Sequence, residues 1–263
     1  MEDMITDAAE WLLSARQGMI VEDNMPTSLY PDSTRQAYRV QEQLVSRLTE
    51  LNNSPVIGYK LACTFAPLME MLGTNGPFYG YLMTHSTHEN NISLAAGDFT
   101  QRIVEPEFLL VMDADLPEQD EPYTAESVLP FIGNLIPSIE VVDHRYADFT
   151  RVGVNALIAD NAIHGVSVLG EPVRDWKNVN LAAHKVDLWV NREIRETGTG
   201  ANVLGDPLNA MAWLANTLKS HGKALKEGDL VTTGATSPTY SAMAGDDIRG
   251  DFGILGEIAM SFT

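Results

Sequence analysis

The sequence predicts an α+β protein, with a helical N-terminal part followed by a strand-rich remainder. Two observations carry this. Apolar residues recur at helical spacing near the start: Ala8, Trp11, Leu12 and Ala15 share one face, and Ala37, Val40, Leu44, Leu48 and Leu51 form a second stripe. From residue 56 onward, short apolar runs are separated by Gly, Pro and Asn turns, the pattern of strands. At 263 residues the chain suits one large domain. It divides into a helical region over 1–55 and a strand-rich part over 56–263.

In order, residues 4–17 form the first helix, with Gly18 as its stop. Asp32 or Ser33 caps a second helix that ends at Asn52-Asn53-Ser54-Pro55. Residues 56–64 read as a strand, 65–72 as a short helix and 73–80 as a loop. A strand over 101–112 leads into an acidic, proline-containing loop, and Thr124 caps a helix through Ile132. Strands follow at 137–143 and 166–170, separated by a helix over 152–163. Strand pieces flank Asn191. Asp206 and Pro207 open the clearest helix, which ends at Gly222. Strands at 230–234 and 254–262 close the chain.

A hydrophobic fraction of 44% and a charged fraction of 20% are those of a folded globular protein. The net charge of −19 argues against nucleic acid and anionic membranes as partners. A small anionic substrate then needs a local positive centre, from a metal, a lysine or both. No apolar run is long enough to span a bilayer. The acidic start is not that of a secretory signal. With Cys63 as the single cysteine, a reducing cytoplasm is expected.

The stretch Arg102-Ile103-Val104-Glu105-Pro106-Glu107-Phe108-Leu109-Leu110 holds the first candidate chemistry. In an extended chain Glu105 and Glu107 share one face, and Val104, Phe108 and Leu110 the other. Two adjacent half-buried carboxylates repel and are costly to desolvate, and a divalent cation would offset both costs. Two solvated glutamates on an edge strand are the plainer alternative. Pro106 cannot donate to a ladder, so the start or edge of a strand is expected here. Glu140 lies among apolar residues in the strand at 137–143 and adds a third carboxylate. Oxygen donors without a Cys/His cluster suit Mg²⁺ or Mn²⁺ better than Zn²⁺. Lys60, flanked by apolar residues, is either a snorkelling lysine or a functional one. Cys63 reads as a packing residue, and His144, next to the Glu140 strand, as an outer or surface group in preference to a ligand. Glycine-rich nucleotide loops, an H-E-x-x-H helix and a G-x-S-x-G elbow are all absent.

Gly58-Tyr59-Lys60, Val104-Glu105-Pro106-Glu107-Phe108, Ile139-Glu140-Val141-Val142-Asp143, Ala159-Asp160-Asn161-Ala162 and Gly253-Ile254-Leu255-Gly256-Glu257-Ile258 occur in one order and spacing. Together they resemble the 2-keto-4-pentenoate hydratase and 4-oxalocrotonate decarboxylase branch of the fumarylacetoacetate hydrolase superfamily. The resemblance covers nearly the whole chain. It implies a mixed β-roll core behind the N-terminal helices, and a cytoplasmic homo-oligomer of aromatic-compound catabolism, associated in some cases with a downstream pathway enzyme. It implies Mg²⁺ or Mn²⁺ on Glu105, Glu107 and Glu140, Lys60 in the active site, and a small anionic 2-oxo acid or its enol as substrate. Thr233 and Gly234 match a loop that holds the substrate carboxylate.

Three positions depart from that pattern. Phe78 stands where an acidic residue is common, His144 where a small hydroxyl residue is common, and Ile163-His164-Gly165 replaces a serine-rich segment. Phe78 and Ile163 imply a larger, more apolar pocket. The leading expectation is a metal-dependent hydratase of 2-hydroxy-2,4-dienoates. Decarboxylation of a 2-oxo-3-enedioate uses the same electron sink and is the runner-up, together with related β-dicarbonyl chemistry. C–C hydrolysis is weaker, because no histidine precedes His85. A metal-binding partner subunit without catalysis is the non-enzymatic alternative, and a buried Lys60 argues against it.

Overall fold

A computed structural model describes residues 2–263. Helices α1 (Glu2–Gly18) and α2 (Thr34–Asn52) pack together at the N-terminus. Ser33 caps α2, its hydroxyl accepting from the Gln36 N–H. Then come β1 (Val56–Ala62), α3 (Ala66–Leu72), β2 (Phe78–Met83), β3 (Thr87–Glu89), β4 (Ile92–Leu94) and β5 (Ile103–Met112). Next are α4 (Ala125–Val128), β6 (Ile132–Val142), α5 (Val154–Ala159), β7 (His164–Leu169), β8 (Lys185–Val190) and β9 (Glu193–Thr199). Helix α6 (Pro207–Ser220) and strands β10 (Leu230–Ala235), β11 (Tyr240–Ser241), β12 (Asp247–Asp251) and β13 (Glu257–Phe262) complete the chain.

The strands form two mixed sheets. An eight-stranded sheet runs β2-β1-β10-β5-β6-β7-β3, with β11 added against β5, and a five-stranded sheet runs β4-β13-β12-β8-β9. Pairing is parallel at β1/β10, β3/β7 and β13/β4 and antiparallel elsewhere. Alternation gives β5 and β6 two unlike faces. Val104, Phe108, Leu110, Ile139 and Val141 are fully buried apolar residues. Their face meets the second sheet, where the Phe108 ring packs edge-on to Phe252 at 5.4 Å. Each such side chain contributes roughly 1.5–3 kcal/mol of burial energy. The glutamates lie on the opposite face, toward β2, α5 and the N-terminal helices. The α2 residue Gln41 is buried there and donates to the carbonyls of Tyr79 (2.9 Å) and Ile158 (2.7 Å).

Four features differ from the sequence expectations. Pro106 lies inside a central strand, paired with Ile139, rather than at a strand start or edge. Its carbonyl accepts from the N–H of Thr236, after β10 has ended. The missing N–H falls on that same side, between the last β10 pair and the first β11 pair, so no ladder bond is lost. The expected loop over 73–80 ends early, because Phe78 already begins β2. The expected helix over 152–163 stops at Ala159. Helix α4 ends at Val128, and Ile132 starts β6. The short strands β3, β4, β11 and β12 carry too few apolar residues to be read from sequence.

Candidate metal centre

Register brings the carboxylates together. Glu105 on β5 lies directly opposite Glu140 on β6, and Glu107 lies opposite Ser138. Directly opposed residues of an antiparallel pair share a face, and a diagonal neighbour stays within side-chain reach. Carboxylate oxygens of Glu105, Glu107 and Glu140 all lie within 4.8 Å of one another. Glu107 and Glu140 are buried and Glu105 is half-buried.

Lys60 arrives from β1, beside Thr232 of β10 in parallel register. It is 1% exposed, and its Nζ lies 3.0 Å from Glu140 Oε1. The same oxygen is 2.8 Å from His164 Nδ1, at the start of β7. Glu107 Oε2 accepts from the Gly234 N–H at 3.0 Å. That bond depends on a bulge: Thr232 pairs with Leu109 but Ala235 with Glu107, so β10 carries one extra residue. Gly234 has φ +108°, and a Cβ there would meet Thr64 Oγ1 at 1.9 Å, so only glycine fits.

Burial, with the charges of Glu140 and Glu105, pushes Glu107 well above the ordinary carboxylate range. Burial and Glu140 push Glu105 up to about 7. Burial would also raise Glu140, but Lys60 and His164 outweigh it and hold it below its ordinary value. For Lys60, burial works to lower the pKa and the three carboxylates outweigh it, leaving the ammonium more basic than usual. A cation among those carboxylates would reverse that balance. Burial lowers His164 despite its bond to Glu140, which favours a neutral ring.

Among the described residues, six buried side-chain polar atoms lack a hydrogen-bond partner. Four belong to this face: Glu107 Oε1, Glu140 Oε2, Thr232 Oγ1 and Ser167 Oγ, with Ser167 directly opposite Glu140. Leaving such groups unpaired costs about 1–3 kcal/mol each. Inward carboxylate oxygens with unused acceptor capacity fit a hard divalent cation.

A cavity of about 250 Å³ opens beside Lys60 and Glu105, and Phe78 and Ile163 both line it. Thr233 does not: its hydroxyl donates to the Phe108 carbonyl at 2.9 Å, and Ala235 and Thr239 line the cavity instead. His144 sits behind the wall, its Nδ1 accepting from the Tyr146 N–H and its ring 5.2 Å from Phe149, a lining residue. Cys63 also lines the cavity, and burial pushes its thiol up to about 12, so it is no ready nucleophile.

His164 stands out in the sequence only as part of a departure from the family pattern, with no role given to it, and the reason is local backbone. Asn161, Ala162 and Ile163 have φ of 50°, 51° and 52°, three consecutive left-handed residues without a glycine. Each costs roughly 1–2 kcal/mol. The Asn161 side chain compensates by accepting from the Tyr81 N–H (2.7 Å) and donating to the Tyr81 carbonyl (3.0 Å). Gly80 lets the turn approach, since a Cβ there would lie 2.6 Å from the Asn161 carbonyl oxygen. Asp160, at the head of the turn, is held by Arg16 of α1 (2.8 Å) and by Arg145 (3.0 Å). The turn aims Ile163 into the cavity and His164 at Glu140. The sequence signal is the departure Ile163-His164-Gly165 after Asp160-Asn161, with no glycine inside the turn at 161–163 to announce it.

Residues 60–263 match the fumarylacetoacetate hydrolase C-terminal family. The chain is 32% identical over 256 residues to the 2-hydroxyhexa-2,4-dienoate hydratase of Comamonas testosteroni, covering 97% of this chain and 94% of that protein. It is 28% identical over 238 residues to the 4-oxalocrotonate decarboxylase of Pseudomonas putida, covering 90% and 89%. In structure it resembles the 4-oxalocrotonate decarboxylase from Pseudomonas putida G7 complexed with magnesium and adipate, with a TM-score of 0.93 and 26% identity over 100% of this chain and 98% of that one. The family match takes in Lys60, the three glutamates and the strands that carry them, and the chain belongs to the fumarylacetoacetate hydrolase family.

Proposed function

We propose that this chain is a divalent-metal-dependent hydro-lyase that converts a 2-hydroxy-2,4-dienoate into a 4-hydroxy-2-oxo acid. The observation that carries this is one buried lysine set against three clustered carboxylates, two of which keep a buried oxygen without a partner, beside a cavity that Lys60 and Glu105 line. Glu105, Glu107 and Glu140 would hold the ion, Mg²⁺ or Mn²⁺ by donor chemistry. When bound, such an ion stabilises negative charge developing on the C1 and C2 oxygens of a 2-oxo acid.

The remaining steps fall to the chain. The C2 hydroxyl of the dienol loses its proton and C5 gains one, giving a 2-oxo-3-enoate. Water then adds its hydroxyl to C4 and its second proton to C3. Lys60 is the group placed to carry these protons, since its Nζ lies at the junction of carboxylates and cavity. His164 orients Glu140, and the Gly234 N–H orients Glu107. The hydroxyls of Thr232 and Ser167 are free to donate to a bound oxygen. Residues 1–55 act as a cover over the catalytic part at 56–263.

The hydratase named among the relatives supports this reading. The decarboxylase reading stands second, on the whole-chain structural likeness. It uses the same head group and needs a second carboxylate on the substrate. A non-catalytic partner subunit would have no use for a lysine whose burial costs several kcal/mol. We further assign the enzyme to the cytoplasm as a homo-oligomer, on its one unpaired, buried cysteine and on the family's habit of assembly.

The test is turnover of 2-hydroxypenta-2,4-dienoate, followed by loss of dienol absorbance with Mg²⁺ and after chelation. Metal-dependent formation of the hydroxy-oxo acid is expected. Release of CO₂ from 2-oxohex-3-enedioate with no hydration of any dienol would instead establish the decarboxylase.

A further inference from the structure

We infer that the cavity beside Glu105 is a tail pocket selecting substrates whose distal end is an uncharged hydrocarbon and rejecting those that end in a carboxylate. This rests on the head-group reading above and concerns the other end of the substrate.

The lining has two unlike ends. Lys60 and Glu105 are its only charged residues, and both belong to the carboxylate cluster. Away from them the wall is mainly apolar, with Leu68, Met71 and Leu72 from α3 and Phe78, Phe149 and Ile163 from three other segments. Its neutral polar side chains are the hydroxyls of Thr64, Thr150 and Thr239. Leu68 and Leu72 of α3 are half-buried and pack against the core beside the cavity, and Met71 is exposed at its rim. A carboxylate pushed to that end would be desolvated with no cation to pair with, and Glu105 would repel it. Lys60 cannot serve both ends, being held 3.0 Å from Glu140. Arg151 follows the lining residue Thr150 but is exposed and outside the lining.

Size leaves room for a tail, since the cavity is about 250 Å³. The head carboxylate and C2 oxygen lie toward Glu107 and Glu140, which are outside the lining. The cavity is therefore left for the chain beyond C3. The left-handed turn adds an independent argument. Strain at Ile163 is tolerated where an apolar side chain enters the cavity, and strain of this kind gathers at functional sites.

The experiment is a substrate ladder on the full-length wild-type protein with Mg²⁺. It uses 2-hydroxy-2,4-dienoates bearing hydrogen, methyl, ethyl or propyl at C5, with 2-oxohex-3-enedioate as the charged member. Specificity, kcat/KM, is expected to rise about fourfold per added carbon until the pocket is full. The enedioate should lie at least about 100-fold below the propyl compound, given an unpaired buried charge. A flat or falling ladder overturns the inference, as does an enedioate that outruns the alkyl dienols.

Oxalate binding by calorimetry, with and without Mg²⁺, separates the two levels. Oxalate has no tail. If it binds with the metal while the ladder is flat, the tail pocket falls and the head site stands. If it does not bind, both fall. Leu68→Arg supplies a cation at the apolar end and should shift the enedioate-to-propyl ratio upward by at least about tenfold. An unchanged ratio in that variant means the tail lies elsewhere. Enedioate turnover that disappears in Arg151→Ala would place a cation at the mouth and also overturn the inference.

Discussion

Glu107 and Phe108 are neighbours in the chain and belong to different economies. Phe108 faces the second sheet, fully buried against Phe252. Glu107 faces the other way, equally buried, with one carboxylate oxygen unpartnered and its pKa pushed up. Along β5 and β6 every step of one residue changes face. One face lowers the free energy of the fold by excluding water. The other holds charges that the fold alone would be better without. A protein keeps such charges where something it binds will use them.

The sharpest way to break this contrast is substitution at those two positions and at the two groups that touch Glu140. Glu107→Ala should abolish Mg²⁺-dependent oxalate binding, a loss of more than about 100-fold by calorimetry, while its chemical denaturation midpoint in chelator stays near wild type. A large loss of stability there would make Glu107 a structural residue and end the contrast. Lys60→Met should lower kcat by about 10²–10⁴ while metal-dependent oxalate binding persists. Loss of both together would reduce Lys60 to a counter-charge. Phe108→Ala should cost about 3–5 kcal/mol in urea unfolding, with the folded fraction still binding oxalate. His164→Ala is the finest of the four. Freed from its 2.8 Å contact, Glu140 should bind metal about 10–100-fold more weakly, read by metal titration independent of turnover.

The same contrast explains how much could be read from the sequence. The alternation around 104–110 and 139–141 was visible, because apolar and acidic residues take turns there. The three glutamates followed from it, while Lys60 came from its place in a separate apolar strand and from the resemblance. Pro106 misled, because its missing donor matters only if a neighbouring strand asks for it, and β10 ends just short of it. Thr233 and Thr232 show the limit of a one-residue reading. They are adjacent and alike, yet Thr233 is used by the backbone of β5 and Thr232 faces the site. Only the register across strands decides between them. His164 was hidden for a different reason, since its direction is set by a turn whose dihedrals ordinary residue preferences forbid. What holds that turn is distant in sequence: Tyr81, Gly80 and the Arg16 of the first helix.

That turn also has consequences for how such a protein drifts. Most chains sit a little above the stability they need, and random change erodes the margin. Here Ile163→Gly would relieve roughly 1–2 kcal/mol of backbone strain. It would also remove an isoleucine that is 6% exposed, and truncating a buried isoleucine costs about 2–5 kcal/mol. Selection for robustness therefore keeps Ile163 in place despite its strain, and with it a wall of the cavity. A lineage that changes this residue to admit a different tail must offset the lost burial with stability gained elsewhere. The loop between α5 and β7 then ties substrate range to the stability margin of the whole fold.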